Sequence, residues 1–348
     1  MNRQLRVISG VVLFGVTIAL QCRSDPARRV DRLFRAYQGN QPGAVVMVIR
    51  QGKPVLVKTY GMADLAAGRP VRSHTNFRLA SITKQFTALS IMILKERGRL
   101  GYEQSLTDIL PDFPAYGRAI TVRHLLQHTS GLVDYEDLIP DTATAQVLDR
   151  DVLRLMMAQD STYFKPGTQF RYSNSGYAML AMIVERLSGR SFAEFLQHAI
   201  FAPLGMTNSV AFEKGVSDVA ERAFGYHVEA GSVRFSDQSL TSAVLGDGGI
   251  YSSIDDLRRW DQALETDQLV SRATLREAWT PNLEHYGFGW YIDAWRGHTR
   301  CWHTGSTCGF RNAMMRFPDD QLTIIILTNR REPDVANLAE QIAEWYLD

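Results

Sequence analysis

Hydrophobic and polar positions change their spacing several times along this chain. Residues 26–38 carry Val30, Leu33, Phe34 and Tyr37 at helical intervals. Residues 43–50 and 54–60 are instead β-rich runs joined by Gln51-Gly52-Lys53, a hairpin by length and turn chemistry. From about residue 121 to 279 the pattern is mostly helical, with helices expected over 122–128, 147–157, 177–187, 192–200 and 255–264. Gly189, Pro203 and Gly205 break that block, and residues 246–249 read as a flexible turn. β patterning returns over 286–292, 299–305, 311–317 and 322–328. Val335, Leu338, Ile342 and Tyr346 then mark a C-terminal amphipathic helix.

Two early strands and three or four late ones predict an α/β (α+β) fold. One antiparallel sheet is built from both chain ends, terminal helices flank it, and an inserted, mostly helical lobe lies between. The expected division is a single domain over 23–348, with an α/β lobe at about 27–115 and 280–348 and a helical lobe at about 116–279.

The stretch 77–95 joins the two lobes. Phe77, Leu79 and Ile82, then Phe86, Leu89, Ile93 and Leu94, describe a short extended entry followed by a buried helix. Ser81 sits where that helix begins, and Lys84 follows one turn later on the same face. An isolated Ser-x-x-Lys is more often an N-cap serine and a solvated lysine. Here the lysine lies in an apolar helix and the motif occurs once in the chain, so an amine-activated serine nucleophile is the sharper reading. Backbone N–H groups at the helix start would suit a developing oxyanion.

Composition narrows the choices. The 348 residues are 45% hydrophobic and 22% charged with net charge +1, and no basic block or acidic tail points to nucleic acid. A basic start at residues 1–6 followed by fourteen apolar residues, 7–20, has the pattern of an export signal. That run is short for a membrane-spanning helix, which needs about 20 residues. Residues 1–22 are therefore expected to be a signal peptide or N-terminal anchor, and the protein periplasmic or extracellular. Cys22 raises lipid attachment, although Ala19-Leu20-Gln21 lacks the small residue usual before a lipidated cysteine. The remaining cysteines, Cys301 and Cys308, are expected to stay unbonded. A path of seven residues, partly strand at about 3.3 Å each, would exceed the roughly 7 Å a disulfide tolerates between Cα atoms. No His-Glu-x-x-His motif is present, so a zinc enzyme has little support and no cofactor is implied.

Two more stretches could face the cleft between lobes. Tyr172-Ser173-Asn174 precedes a long apolar helix, and His303-Thr304-Gly305-Ser306 ends a β run. Each alone is an ordinary loop or strand end. Together with Ser81-Ile-Thr-Lys84, in this order, they resemble the three motifs of serine β-lactamases and penicillin-binding proteins. The spacing is most similar to class C β-lactamases and the related D-Ala-D-Ala carboxypeptidases, D-aminopeptidases and esterases. Residues 125–131, 248–250, 286–290 and 305–317 also look like landmarks of that family, so the resemblance covers nearly all of the chain after residue 22.

The resemblance implies a β-lactamase/transpeptidase-like fold and roles for particular residues. Ser81 would be acylated, and Lys84 would accept its proton or lower the pKa of Tyr172. Tyr172 would relay protons, and Asn174 would orient the substrate amide or ester. The N–H groups of Ser81 and Ser306 would form the oxyanion hole, and the strand carrying Thr304 and Gly305 would flank the substrate. One departure stands out: His303 occupies a position where most β-lactamases of this group carry lysine. With an unperturbed pKa near 6.5, it would gain charge as pH falls from about 7.5 to 5.5 and act as a pH-dependent substrate filter. The expected function is an exported serine hydrolase cleaving an ester, amide or peptide-like small molecule through an acyl-serine. The alternatives are a class C-type β-lactamase or a slowly deacylating penicillin receptor. Oligomeric state and membrane attachment through the N-terminus stay open.

Overall fold

The computed structural model describes residues 25–229 and 231–347. The expected export segment, residues 1–22 with Cys22, lies outside them. No described helix is long and apolar enough to cross a membrane.

The two early strands, β1 (Ala44–Arg50) and β2 (Lys53–Tyr60), pair as a hairpin. Four late strands join them: β3 (Tyr291–Trp295), β4 (His298–Thr307), β5 (Phe310–Phe317) and β6 (Leu322–Thr328). The antiparallel order is β3-β4-β5-β6-β1-β2, so the chain ends meet where β1 pairs with β6, Ala44 opposite Thr328 and Arg50 opposite Leu322. β1 is central and buried on both faces. Val45, Met47 and Ile49 enter the larger core, whereas Ala44, Val46 and Val48 pack with the terminal helices α1 (Pro26–Leu33) and α6 (Val335–Leu347). Period-2 alternation thus puts one strand into two cores, each fully buried Val or Ile contributing about 1.5–3 kcal/mol.

Helix α2 (Thr83–Glu96) runs through the larger core and is buried from Thr83 to Leu94, polar residues included. Helix α3 (Asn174–Ser188) packs on it. On another side, Phe86 stacks on Trp260 of helix α5 (Ile254–Ala263) at 4.1 Å between ring centroids, and the Trp260 indole N–H donates to Gln85 at 3.0 Å.

The architecture agrees with the sequence expectation in outline and departs from it in three places. Residues 286–290 are not strand: Gly287 N–H donates to the Trp290 carbonyl at 2.8 Å, and β3 begins only at Tyr291. Gly289, at φ +78°, supplies the left-handed residue that turns this loop against the backbone of Lys84 and Gln85. The helical block also contains a β-hairpin, Tyr226–Glu229 with Ser232–Phe235, whose second strand is fully exposed. Residues read as a flexible turn form α4 (Leu245–Gly248), a single helical turn. Its Leu245 and Gly246 N–H groups donate to the buried Asp149 carboxylate at 2.7 and 2.9 Å.

Candidate active site

Ser81 lies in a 3-10 turn, Ala80–Ile82, that leads into α2. No side chain caps α2, which leaves its first N–H groups without a side-chain acceptor. Ala80 holds φ +51°, a left-handed conformation that an alanine adopts only when surrounding structure imposes it. The restraints are visible. Leu79 N–H donates to the Ile250 carbonyl at 2.8 Å, and Asn312 donates to the Arg78 carbonyl at 2.8 Å. On the other side, Gly305 of β4 packs so close that an added Cβ would collide with the Leu79 carbonyl oxygen. The third motif therefore needs glycine because the Ser81 turn leans on it, and this contact brings Ser306 to the cleft wall.

Lys84 points back along α2 toward Ser81. Its Nζ donates to Ser81 Oγ at 3.3 Å, to Asn174 Oδ1 at 2.8 Å and to the Asp247 carbonyl at 2.9 Å. Burial pushes the ammonium down to about 8, while the Asp247, Glu136 and Asp134 carboxylates resist that shift. Asp247 is itself pushed above the usual carboxylate range by burial, with Lys84 opposing, and its side chain accepts from the Tyr135 hydroxyl at 3.0 Å.

Tyr172 and Asn174 reach the same place from the start of α3. Ser173 caps that helix by accepting from Gly176 N–H at 3.0 Å, which makes Asn174 its first residue, three earlier than periodicity indicated. The Asn174 amide is fixed in orientation, since its Nδ2 donates to Glu136 at 3.1 Å while its oxygen serves Lys84. The Tyr172 hydroxyl is buried and faces Ser81, its one side-chain hydrogen-bonding neighbour among the described residues, without reaching full hydrogen-bond geometry. The sequence expectation is that the adjacent ammonium depresses this phenol. Burial raises it instead, so Tyr172 stays protonated across the working range.

His303 also differs from expectation. It is 3% exposed and lies on the face of β4 shared with Cys301 and Gly305. Its Nδ1 donates to the Thr304 carbonyl at 2.6 Å, which leaves Nε2 to accept from the Tyr286 hydroxyl at 3.1 Å. Burial and the nearby Lys84 charge push it down to about 3. His303 is therefore neutral throughout the interval in which it was expected to titrate, and it cannot act as the proposed pH-dependent cation. Its ring lies 6.1 Å from that of Tyr172.

The cleft is lined by Arg78, Ala80, Ser81, Tyr135, Glu136, Asn174, Thr241, Asp247, Gly248, Ser306 and Thr307. Ser81, Lys84, Tyr172 and Asn174 thus form one contiguous group, with Ser306 on the facing wall and Thr304 and His303 further along the strand. Sequence reasoning missed Glu136, Asp247 and Tyr135. Asp247 fell in a glycine-rich stretch that was already singled out. Glu136, in Asp134-Tyr135-Glu136-Asp137, gave no signal beyond its charge. Cys301 and Cys308 are both free, as expected: Cys301 is buried in β4 and Cys308 half-buried in the turn that follows.

Comparison with known proteins agrees with this geometry. A family model described as Beta-lactamase matches residues 30–346. The chain belongs to the β-lactamase family. Its sequence is 34% identical to Penicillin-binding protein 4* of Bacillus subtilis (strain 168) over 332 residues, 89% of this chain and 73% of that protein. Its fold is similar to that of the penicillin binding protein from Bacillus halodurans, with TM-score 0.79 and 27% identity over 92% of this chain and 99% of the other. The octameric penicillin-binding protein homologue from Pyrococcus abyssi superposes with TM-score 0.79 and 26% identity, covering 92% of this chain and 75% of that one. The chain spans about two thirds to three quarters of the length of the curated relatives it matches. As a β-lactamase-family protein it is a serine hydrolase acting on ester, amide or peptide-like bonds through an acyl-enzyme.

Proposed function

We propose that Ser81 is the acylated nucleophile of an exported hydrolase for small esters or amides, with Lys84 as its base. The observation that carries this reading is the Lys84 ammonium, held by three acceptors, hydrogen-bonded to Ser81 and lowered by burial to about 8. In its neutral form Lys84 takes the Ser81 proton as Oγ attacks the substrate carbonyl. The oxyanion then receives the Ser81 and Ser306 N–H groups, each such donor typically worth about 2.7–4 kcal/mol. Tyr172, protonated and facing Ser81, hands its proton to the departing oxygen or nitrogen and recovers one from the Lys84 ammonium. Water repeats the sequence in reverse on the acyl-serine. Residues 1–22 are read as the export signal or anchor, a reading supported by their basic-then-apolar sequence.

An uncharged His303 supports small-ester or amide hydrolysis over dedicated β-lactam turnover, because the strand offers no fixed cation for a substrate carboxylate at that position. A second reading is favoured by the names of the relatives: acylation by penicillin with slow release. One experiment separates the two. Purified protein is assayed on p-nitrophenyl esters, D-amino-acid amides, D-Ala-D-Ala peptides and nitrocefin, with intact-mass analysis after fluorophosphonate and penicillin treatment. Steady ester or amide turnover and a single adduct on the Ser81 peptide are expected, both lost in Ser81→Ala. A stoichiometric penicillin adduct without turnover of any substrate would select the receptor reading. Activity surviving in Ser81→Ala would overturn the assignment.

A further inference from the structure

We propose that a second cavity, at the far end of α2 from Ser81, binds a phosphate monoester carrying an apolar group. The cavity measures about 370 Å³, within the range of small-ligand pockets, and shares no lining residue with the active cleft. Lys84 and Leu94 are separated by about 15 Å along the axis of α2, so a ligand here touches none of the catalytic groups. The floor is apolar, from Leu94 and Phe195, and the rim carries Arg97, Arg99, Arg190 and His198. Among the described residues, no acidic side chain lines the cavity, and none of these four basic side chains forms an ion pair.

Two helix ends bring the rim together. α2 stops at Glu96 and α3 at Ser188, and the chain turns at Gly98 after the first and at Gly189 after the second. Arg97 and Arg99 flank one glycine, and Arg190 follows the other. Helix C-termini favour nearby cations by themselves, and Arg99 serves that end by donating to the Leu187 carbonyl at 2.8 Å. Arg97 and Arg190 do not, since their guanidinium groups make no hydrogen bond among the described residues. The carboxylates close to them in sequence are held elsewhere. Glu96 accepts from Ser271 N–H at 2.8 Å, Glu185 from Phe192 N–H at 2.8 Å and Glu194 from Ser191 N–H at 3.0 Å. Three guanidinium groups therefore converge on one cavity without a counter-charge from the chain. Backbone geometry adds an independent observation. His198 stands in a π-helical turn, Gln197–Phe201, closed by Ala202 N–H donating to the Gln197 carbonyl. Such turns are rare and frequently found at functional sites. The rim also selects the anion. A carboxylate offsets one guanidinium charge, whereas a phosphate monoester carries about −1.5 to −2 at pH 7 and offers three acceptor oxygens. Planar guanidinium forks bind such oxygens in pairs, and the apolar floor covers the carbon group of the ester. A soluble phosphate ester and a lipid headgroup both present this chemistry.

The test titrates hexyl phosphate, hexanoate and inorganic phosphate separately into the full chain at pH 7 and low salt, by calorimetry. One hexyl phosphate should bind per chain. It should bind about tenfold or more tighter than hexanoate, which lacks the second charge, and than inorganic phosphate, which lacks the tail. The double variant Arg97→Gln/Arg190→Gln should weaken it about tenfold or more, and so should a rise in salt to about 0.5 M. Both arginines are exposed, so this variant should keep the wild-type melting temperature and ester turnover. A charge-matched control, Arg32→Gln/Arg35→Gln near the N-terminal helix, should leave binding unchanged. The absence of saturable hexyl phosphate binding overturns the proposal, and so does equal weakening in both double variants. Hexanoate or inorganic phosphate binding as tightly as hexyl phosphate overturns it too. Once hexyl phosphate binds, sedimentation with phosphatidylcholine vesicles, with or without phosphatidic acid, separates the two sources. Capture that needs phosphatidic acid and is lost in Arg97→Gln/Arg190→Gln supports the site with a lipid headgroup as its ligand. Capture that is absent, or unchanged by that variant, supports it with a soluble ester.

Discussion

Lys84 and His303 are two basic side chains buried in the same site, and burial lowers both. Lys84 has three oxygen acceptors within 3.3 Å and the Asp247 carboxylate nearby, and it stays near 8, where it can be either charged or neutral in use. His303 has a tyrosine hydroxyl and one carbonyl, faces the Lys84 charge, and falls to about 3. Burial is the largest cause in both cases, and the two groups start from different ordinary values, 10.5 and 6.5; the Asp247 carboxylate then offsets part of the fall at Lys84, whereas the Lys84 charge adds to it at His303.

The sharpest way to break this contrast is to delete each member in turn. Lys84→Met should lower kcat/KM for a neutral ester by about 10³-fold or more, the scale of losing an activating base and its contacts to Ser81 and Asn174. His303→Gln, which keeps a polar group of similar reach toward Tyr286, should cost less than about tenfold because no charge is lost. Comparable losses from both would mean that His303 takes part in proton transfer. Next in size, Tyr172→Phe should cost about 10²-fold or more for an amide, whose nitrogen must be protonated to leave. The loss should be smaller for a p-nitrophenyl ester, whose leaving group needs no proton. Equal losses on both substrates would remove the acid role.

The smallest effect is on stability. The folded state holds His303 neutral down to about 3, whereas the unfolded chain protonates near 6.5. Above pH 6.5 both states are neutral and the contribution is fully present. As pH falls from 6.5 toward 3 the unfolded state gains the proton, and stability is lost. The melting temperature of wild type should therefore drop more between pH 7 and 5 than that of His303→Gln. Equal slopes would show that His303 is solvated.

The same contrast explains what could be read from sequence. Ser81 and Lys84 are one helical turn apart, so local geometry brings them together and the pair was visible in the chain. The sheet from both ends was visible too, because β1 and β6 are continuous apolar runs whose burial on two faces leaves no alternative. Asp247 and Glu136 were not visible, since their hydrogen-bonded links run through partners 112 and 38 residues away. His303 was misjudged for a related reason. The β pattern over residues 286–290 predicts strand, whereas they fold back and place the Tyr286 hydroxyl on the imidazole. Alternation within β4 did carry a hint, for His303 shares parity with the buried Cys301 and Gly305.

The most direct test of the account is the pH dependence of acylation. kcat/KM for a neutral p-nitrophenyl ester, measured from pH 5 to 10, should rise along a single acid limb with its midpoint near 8, as Lys84 loses its proton. Removing the Asp247 carboxylate in Asp247→Asn should move that limb to lower pH, because the anion is what holds the lysine proton. His303→Gln should leave it in place. A wild-type limb near 6.5 that disappears in His303→Gln would contradict the account, making the histidine the titrating group and Lys84 a fixed cation.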